Sequence, residues 1–208
     1  MVDLKPLSPY SRVMKSKARA LISVYDKTAL DGLASFLAKQ NLELLSSGGT
    51  ARFLSEVGLE VTPVGEITGF PELLDGRVKT LHPVVHAGIL ARRSVREDMR
   101  TLQEFSITKV DWVVVNLYPF QQKAEEIQDE HELLEFIDIG GPTMIRAAAK
   151  NFHDVVVVCD PADYSWIQSE YYQNGDISTH SRRFLAAKVF KLMAEYDAAV
   201  ARFLSNEK

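Results

Sequence analysis

The chain has 208 residues, enough for one domain with a real core, and 46% of them are hydrophobic, as in a soluble globular protein. With 24 Lys and Arg against 28 Asp and Glu, the net charge is −4, which disfavours non-specific nucleic-acid binding because that needs a basic footprint. The lone cysteine rules out an intrachain disulfide, and no apolar run reaches the length of a membrane span.

Residues 1–17 are polar and carry Pro6 and Pro9, so they read as an irregular arm. They lack an apolar h-region, which predicts no secretory signal and a cytoplasmic setting. A short apolar strand is predicted over 18–24. Thr28 is placed to cap a helix reaching about residue 40, with Leu30, Leu33, Ala34 and Leu37 on one face. A second strand, 42–45, runs into Ser46-Ser47-Gly48-Gly49-Thr50 and then a helix over 51–57. Strand, Gly-rich turn and helix together aim N–H groups at a phosphate. Alone the turn is a weak signal, since many such turns use Gly-Gly for steric reasons.

A third strand over 60–64 is interrupted by Pro63. A long connection follows, with a helical turn at 70–74, and then residues 75–88 gather two glycines, two cations and two histidines. Pro83 suits the first turn of a helix to about residue 92. Residues 94–105 read as an exposed helix. The continuous apolar run 112–117 reads as a central strand buried on both faces. Residues 121–136 are acidic and helical. Ile137-Asp138-Ile139-Gly140-Gly141 leads into a helix over 142–151, and 154–159 is a buried strand holding Cys159, an inert thiol. A helix over 163–173 closes at Asn174-Gly175. The last helix, 181–205, carries Leu185, Val189, Leu192, Met193, Tyr196, Val200, Phe203 and Leu204 at 3–4 spacing, a stripe that suits a core or a dimer face.

The alternation of strands and helices predicts an α/β fold with a mostly parallel sheet flanked by helices. Ligands of such sheets bind beyond the carboxyl ends of the strands. Loops 25–27, 46–50 and 116–120 follow strands, and 75–82 lies close behind, so one shared site is expected. The available groups are Lys27, Arg77, Lys79, Asn116, Arg146 and Lys150, with Asp138 and Tyr118 to handle protons. They suit an anionic small molecule and a developing oxyanion. His82 and His86, four apart, are a conceivable metal pair. Pro83 instead puts His82 at a helix boundary and no third ligand lies near, so both are expected to bond loop backbone. No metal and no cofactor are expected.

Six motifs occur in the order of one family: the 18–28 run ending Ser-Val-Tyr-Asp-Lys-Thr, Ser47-Gly-Gly-Thr, Gly76-Arg-Val-Lys-Thr-Leu-His-Pro, Asn116-Leu-Tyr-Pro-Phe, Ile137-Asp-Ile-Gly-Gly and Arg146-Ala-Ala-Ala-Lys-Asn. The chain resembles the IMP cyclohydrolase domain, the N-terminal half of a bifunctional enzyme of purine biosynthesis. The resemblance implies a methylglyoxal-synthase-like fold with additional C-terminal helices. It implies closure of 5-formamidoimidazole-4-carboxamide ribonucleotide to inosine monophosphate with loss of water, catalysed by a hydrolase in the reverse sense. By the same resemblance the catalytic residues are Lys79, Tyr118, Asp138 and Lys150, with Lys150 paired to Asp138. The nucleotide is then held by Tyr25, Lys27, Ser47, Gly48, Gly49, Thr50, Arg77, Val78, Thr80, Asn116, Leu117, Ile139 and Gly140. Tyr25 stands where many members have serine, so its contact is expected through backbone. The family continues into a folate-dependent formyltransferase domain. The expectation here is residues 18–208 as the cyclohydrolase domain without it, with a formyltransferase domain or partner supplying the substrate and a homodimer as the assembly. The competing readings are a nucleotide-sensing module of the same fold and a methylglyoxal synthase. The joint presence of Tyr118, Asp138 and Lys150 weighs against the first, and the Arg-Val-Lys-Thr and Arg-Ala-Ala-Ala-Lys motifs against the second.

Overall fold

The computed structural model describes residues 17–71, 74 and 78–205. The expected arm, apart from Lys17, and Arg77 lie outside the described residues, as do residues 72 and 73 of the expected 70–74 turn.

Five strands form one sheet in the order β3-β2-β1-β4-β5. They are β1 Arg19–Val24, β2 Glu43–Ser46, β3 Val61–Pro63, β4 Trp112–Asn116 and β5 Val156–Val158. Every pairing is parallel, with Val24 opposite Asn116 and Ile22 opposite both Ser46 and Val114. The unbroken Val-Val-Val runs of β4 and β5 follow from this, because helices cover both faces of a parallel sheet and leave no polar side. The chain leaves β1 toward β2 on one side and returns to β4 on the other. The carboxyl ends of β1 and β4 therefore flank the point where the winding reverses, the place such sheets use for ligands.

Helix α1 (Leu30–Lys39) buries Leu30, Leu33, Ala34, Phe36 and Leu37, the face expected of it. Its start differs from expectation. Thr28 caps nothing; its N–H donates to Asp26 Oδ1 at 2.8 Å, and Ala29 takes a left-handed φ of 55° before the helix begins. Asp26 turns the chain locally, and that local bond displaces the threonine cap. Helix α2 (Gly48–Glu56) starts three residues before the expected position, so Gly48, Gly49 and Thr50 are its first turn. Next come α3 (Val64–Thr68), α4 (Pro83–Leu90) and α5 (Arg96–Glu104), the last with Leu102 as its buried residue.

The acidic stretch expected as one helix is two, α6 (Phe120–Glu126) and α7 (Glu130–Leu134). Asp129 breaks it by accepting the Glu132 N–H at 2.8 Å, an N-cap that starts α7 afresh. Helix α8 (Gly140–Lys150) begins at Gly140 and leads to β5. A 3₁₀ turn (Pro161–Asp163) precedes α9 (Tyr164–Asn174), which Gly175 ends at φ 75°. Helix α10 (Thr179–Ser205) lies against α8, α6 and β5, burying Leu185, Ala186, Val189, Met193, Tyr196 and Ala199. That stripe, apart from the exposed Leu204, thus serves the core of this chain. Among the described residues no helix is long and apolar enough to cross a membrane.

Candidate active site

The loop after β1 is held from β4. Asn116 Oδ1 accepts the N–H groups of Tyr25 at 2.8 Å and Asp26 at 2.9 Å, and its Nδ2 donates to the Asp26 carbonyl at 2.8 Å. Thr50, on the first turn of α2, does the same for the end of the strand: its hydroxyl accepts from the Val24 N–H at 3.1 Å and donates to the Val24 carbonyl at 3.0 Å. Both side chains are thus engaged with backbone, which makes them scaffold for the loops they belong to.

Gly48 opens α2 at φ 55°, and a Cβ there would stand 3.0 Å from Lys79 Nζ. The lysine, carried by the connection between α3 and α4, therefore lays its ammonium on the first turn of α2. Its neighbour Thr80 is buried, and a Cβ on Gly140 would stand 2.8 Å from the threonine Oγ1. Glycine at 140 is what lets the two segments close on each other.

Asp138 lies in the turn between α7 and α8. Its Oδ1 accepts the Gly141 N–H at 2.9 Å, and a Cβ at Gly141 would run into the carboxylate. The Asp138 N–H donates to Tyr196 Oη at 2.8 Å, and the Tyr196 hydroxyl donates to the Phe136 carbonyl at 3.2 Å. Burial pushes the Asp138 carboxyl above its ordinary range, against the pull of the Gly141 N–H and the nearby Lys79 ammonium.

Lys79, Thr80, Tyr118, Asp138, Ile139 and Gly140 line one cavity of about 540 Å³, a size that suits a small-molecule ligand. Tyr118 is 41% exposed and forms one wall, its ring 5.0 Å from Tyr25 and 5.8 Å from Phe136. Beyond it is a second hollow of about 840 Å³, lined among others by Tyr25, Lys27, Asn116, Leu117 and Tyr118. Lys27 Nζ donates to the Tyr25 carbonyl at 3.3 Å. Cys159 lies on this side, buried, and burial pushes its thiol up to about 12, so it is inert at neutral pH.

Most of the expected residues therefore meet on one edge of the sheet. Gly48 adjoins the cavity through Lys79, with Ser47, Gly49 and Thr50 in the same turn, and Val78 stands exposed beside that lysine. Two expectations do not hold. Lys150 is not paired with Asp138. It is the exposed last residue of α8, about 15 Å along the axis from Gly140 at 1.5 Å per residue, and lines neither hollow. The helix runs from the carboxyl edge of the sheet back to the amino edge where β5 starts, so its two ends cannot share a site in one chain. Arg146 also turns away, pairing with Asp197 of α10. His82 caps α4, its Nδ1 accepting the Val84 N–H at 3.2 Å. His86 bonds the Thr80 backbone, and burial holds its pKa below the usual value. No group of three or more His, Cys, Asp or Glu able to hold a metal occurs among the described residues.

Sequence reasoning passed over Tyr196, which it counted as one more apolar position. The signal was its polar tip: a buried tyrosine hydroxyl needs a partner, and here the partner is the turn that carries Asp138.

Residues 29–143 match the family described as MGS-like domain, and residues 148–208 match the family described as AICARFT/IMPCHase bienzyme. Two curated relatives share the description "Bifunctional purine biosynthesis protein PurH". That of Clostridium perfringens is 56% identical over 188 residues, and that of Clostridium botulinum 54% over 190. These alignments take in 90% and 91% of this chain but 38% of either relative, so the chain spans well under half their length. A solved structure described as "Crystal structure of ForH" superposes with a TM-score of 0.81 at 36% identity, covering 91% of this chain and 100% of that one.

Proposed function

The chain belongs to the MGS-like domain family, and from that membership we propose that it closes 5-formamidoimidazole-4-carboxamide ribonucleotide to inosine monophosphate with loss of water. The observation that carries the reading is Lys79. Its ammonium lies on the first turn of α2 while facing the cavity that Asp138 and Tyr118 line. The bienzyme match over 148–208 and the purine-biosynthesis description of the relatives support the same reaction.

In this scheme the phosphate sits on the free N–H groups of Gly48, Gly49 and Thr50, where the helix end favours an anion. The reacting groups belong to one molecule, so holding it in the folded-over geometry supplies much of the acceleration. The carboxamide nitrogen forms the new C–N bond and the formyl oxygen leaves as water. That water carries away one proton from the carboxamide and one from the formamide nitrogen. Lys79 offsets the charge that builds on the formyl oxygen. Asp138, its carboxyl raised toward neutrality by burial, and Tyr118 move the protons.

We assign Lys150 a part only across a homodimer contact, in a partner's site, because its own site lies at the other end of α8. A single sedimenting monomer at micromolar concentration, fully active, would remove both the homodimer and that part for Lys150. The setting is proposed as cytoplasmic, with a formyltransferase domain or partner supplying the substrate.

The reaction is tested by incubating the purified protein with the formylated ribonucleotide and following inosine monophosphate by absorbance. Turnover is expected. Folded protein that binds inosine monophosphate without turnover would make it a nucleotide sensor, and formation of methylglyoxal from a triose phosphate would make it a lyase.

A further inference from the structure

The MGS-like match ends at residue 143, yet the turn that carries Asp138 is held from α10, far outside it. Within the turn, the Phe136 and Ile137 N–H groups bond back to Leu133 and Leu134 and continue α7. The Asp138 N–H does not; it donates to Tyr196 Oη at 2.8 Å. The same hydroxyl donates to the Phe136 carbonyl at 3.2 Å. One oxygen thus serves as acceptor and donor for two backbone groups, two residues apart, on either side of Ile137. The lever behind it is fixed: Tyr196 is 9% exposed, and its ring lies edge-on to Phe120, a fully buried side chain, with centroids 6.2 Å apart. No neighbour on α10 duplicates the contact, since Asp197 points to Arg146 on α8.

We propose that Tyr196 is a positioning residue, its hydroxyl clamping the 136–138 backbone so that the Asp138 carboxylate faces the cavity. This rests on the ring-closure reading for its kinetic consequence, though not for its structural one. The clamp locks the carboxylate between the Gly141 N–H and the field of Lys79, with Tyr118 and Glu135 as the other titratable groups lining the cavity and Asp197 the charged neighbour on α10. Loss of the hydroxyl frees the turn to swing outward, hydrates the carboxylate and removes it from the reacting atoms. The MGS-like core supplies the aspartate, and the appended helix supplies its alignment.

Tyr196→Phe removes the hydroxyl and keeps the ring. Asp197→Ala loosens α10 against α8 and keeps the hydroxyl. For Tyr196→Phe, kcat is expected to fall tenfold or more with KM within twofold of wild type, and the acid limb of the kcat profile to move to lower pH as burial of Asp138 is relieved. Asp197→Ala is expected to match wild type in kcat and in profile. The Asp138 carboxyl carbon, followed by NMR across pH, is expected to titrate lower in Tyr196→Phe and unchanged in Asp197→Ala. Equal kcat losses in the two variants, or a Tyr196→Phe protein with wild-type kcat and wild-type carboxyl titration, would overturn the proposal. An inactive wild type would defeat the ring-closure reading alone, because the carboxyl titration still decides whether Tyr196 sets Asp138.

Discussion

The end of β1 is held by side chains that point at backbone, whereas the connection bearing Lys79 and the turn bearing Asp138 send side chains into open space. Asn116 makes three bonds to the 25–26 backbone and Thr50 makes two to Val24. On the other side Lys79 reaches over Gly48, Asp138 stands in the cavity, and the backbone beneath Asp138 is tied down from α10. Short loops leaving parallel strands are positioned by the sheet, so their polar side chains are free to finish the scaffold. The longer segments have no strand to position them, and their chemistry depends on contacts reaching across the fold. The strand-end half is thus predicted to govern binding and stability, and the other half turnover.

The sharpest way to break this contrast is Lys79→Ala. Removing one preorganised donor to a developing oxyanion typically costs about 10²–10³ in kcat. That loss is expected here with little change in melting temperature, since the half-buried lysine closes no core contact. Steady-state kinetics beside thermal melts checks it. A loss confined to KM would move Lys79 into the phosphate-binding half.

Gly48→Val probes the seam between the halves. A left-handed φ costs a non-glycine residue roughly 1–2 kcal/mol, and the added carbon would press on Lys79 Nζ. Affinity for inosine monophosphate, measured by calorimetry, is expected to fall about tenfold or more, the equivalent of roughly 1.4 kcal/mol. Unchanged affinity would remove the α2 turn from the site.

Asn116→Ala should act on the scaffold. It leaves the Tyr25 and Asp26 N–H groups without their acceptor, a loss of about 1–3 kcal/mol if water does not replace it and less at this exposed loop. The denaturant midpoint is expected to drop with an unchanged slope, and kcat at saturation to fall far less than in Lys79→Ala. A kcat loss equal to that of Lys79→Ala, at wild-type stability, would place Asn116 among the reacting atoms.

The same contrast explains what could be read from sequence. The apolar runs of β1, β4 and β5 announce a buried parallel sheet, and Gly48-Gly49 directly after β2 announces the turn that opens α2, because strand period and glycine are local signals. Lys79, Tyr118 and Asp138, which the family motifs name, line one cavity. What stayed illegible was set by distance. The separation of Lys150 from Asp138 depends on which way α8 runs relative to the sheet, and helical spacing alone puts Lys150 on the same face as Arg146 without saying at which end the site lies. The role of Tyr196 depends on α10 folding back over a turn 58 residues earlier. Thr28 failed as a cap because the helix starts only at Leu30, after a left-handed Ala29, and the Thr28 side chain is engaged by Asp26 two residues before it.

Asp138→Asn gives the smallest stability effect and tests the sign of the electrostatics. Burial is the leading influence on this carboxyl and raises it above its ordinary value of 3.8. The folded protein therefore holds the Asp138 proton more tightly than the unfolded chain does. Stability falls as pH rises through the folded-state titration, and the penalty is fully present above it and absent below the unfolded value. At pH 7 the wild type carries that penalty, while asparagine carries none and still offers an oxygen to the Gly141 N–H. The inactive Asn variant is thus expected to melt at or slightly above the wild type at pH 7, with the difference vanishing as pH drops toward 4. The Asn116 scaffold variant should show the opposite sign at every pH. An Asp138→Asn protein that melts below wild type at pH 7 would mean that Lys79 and the Gly141 N–H outweigh burial, and the carboxylate would then belong to the stabilising half of the site.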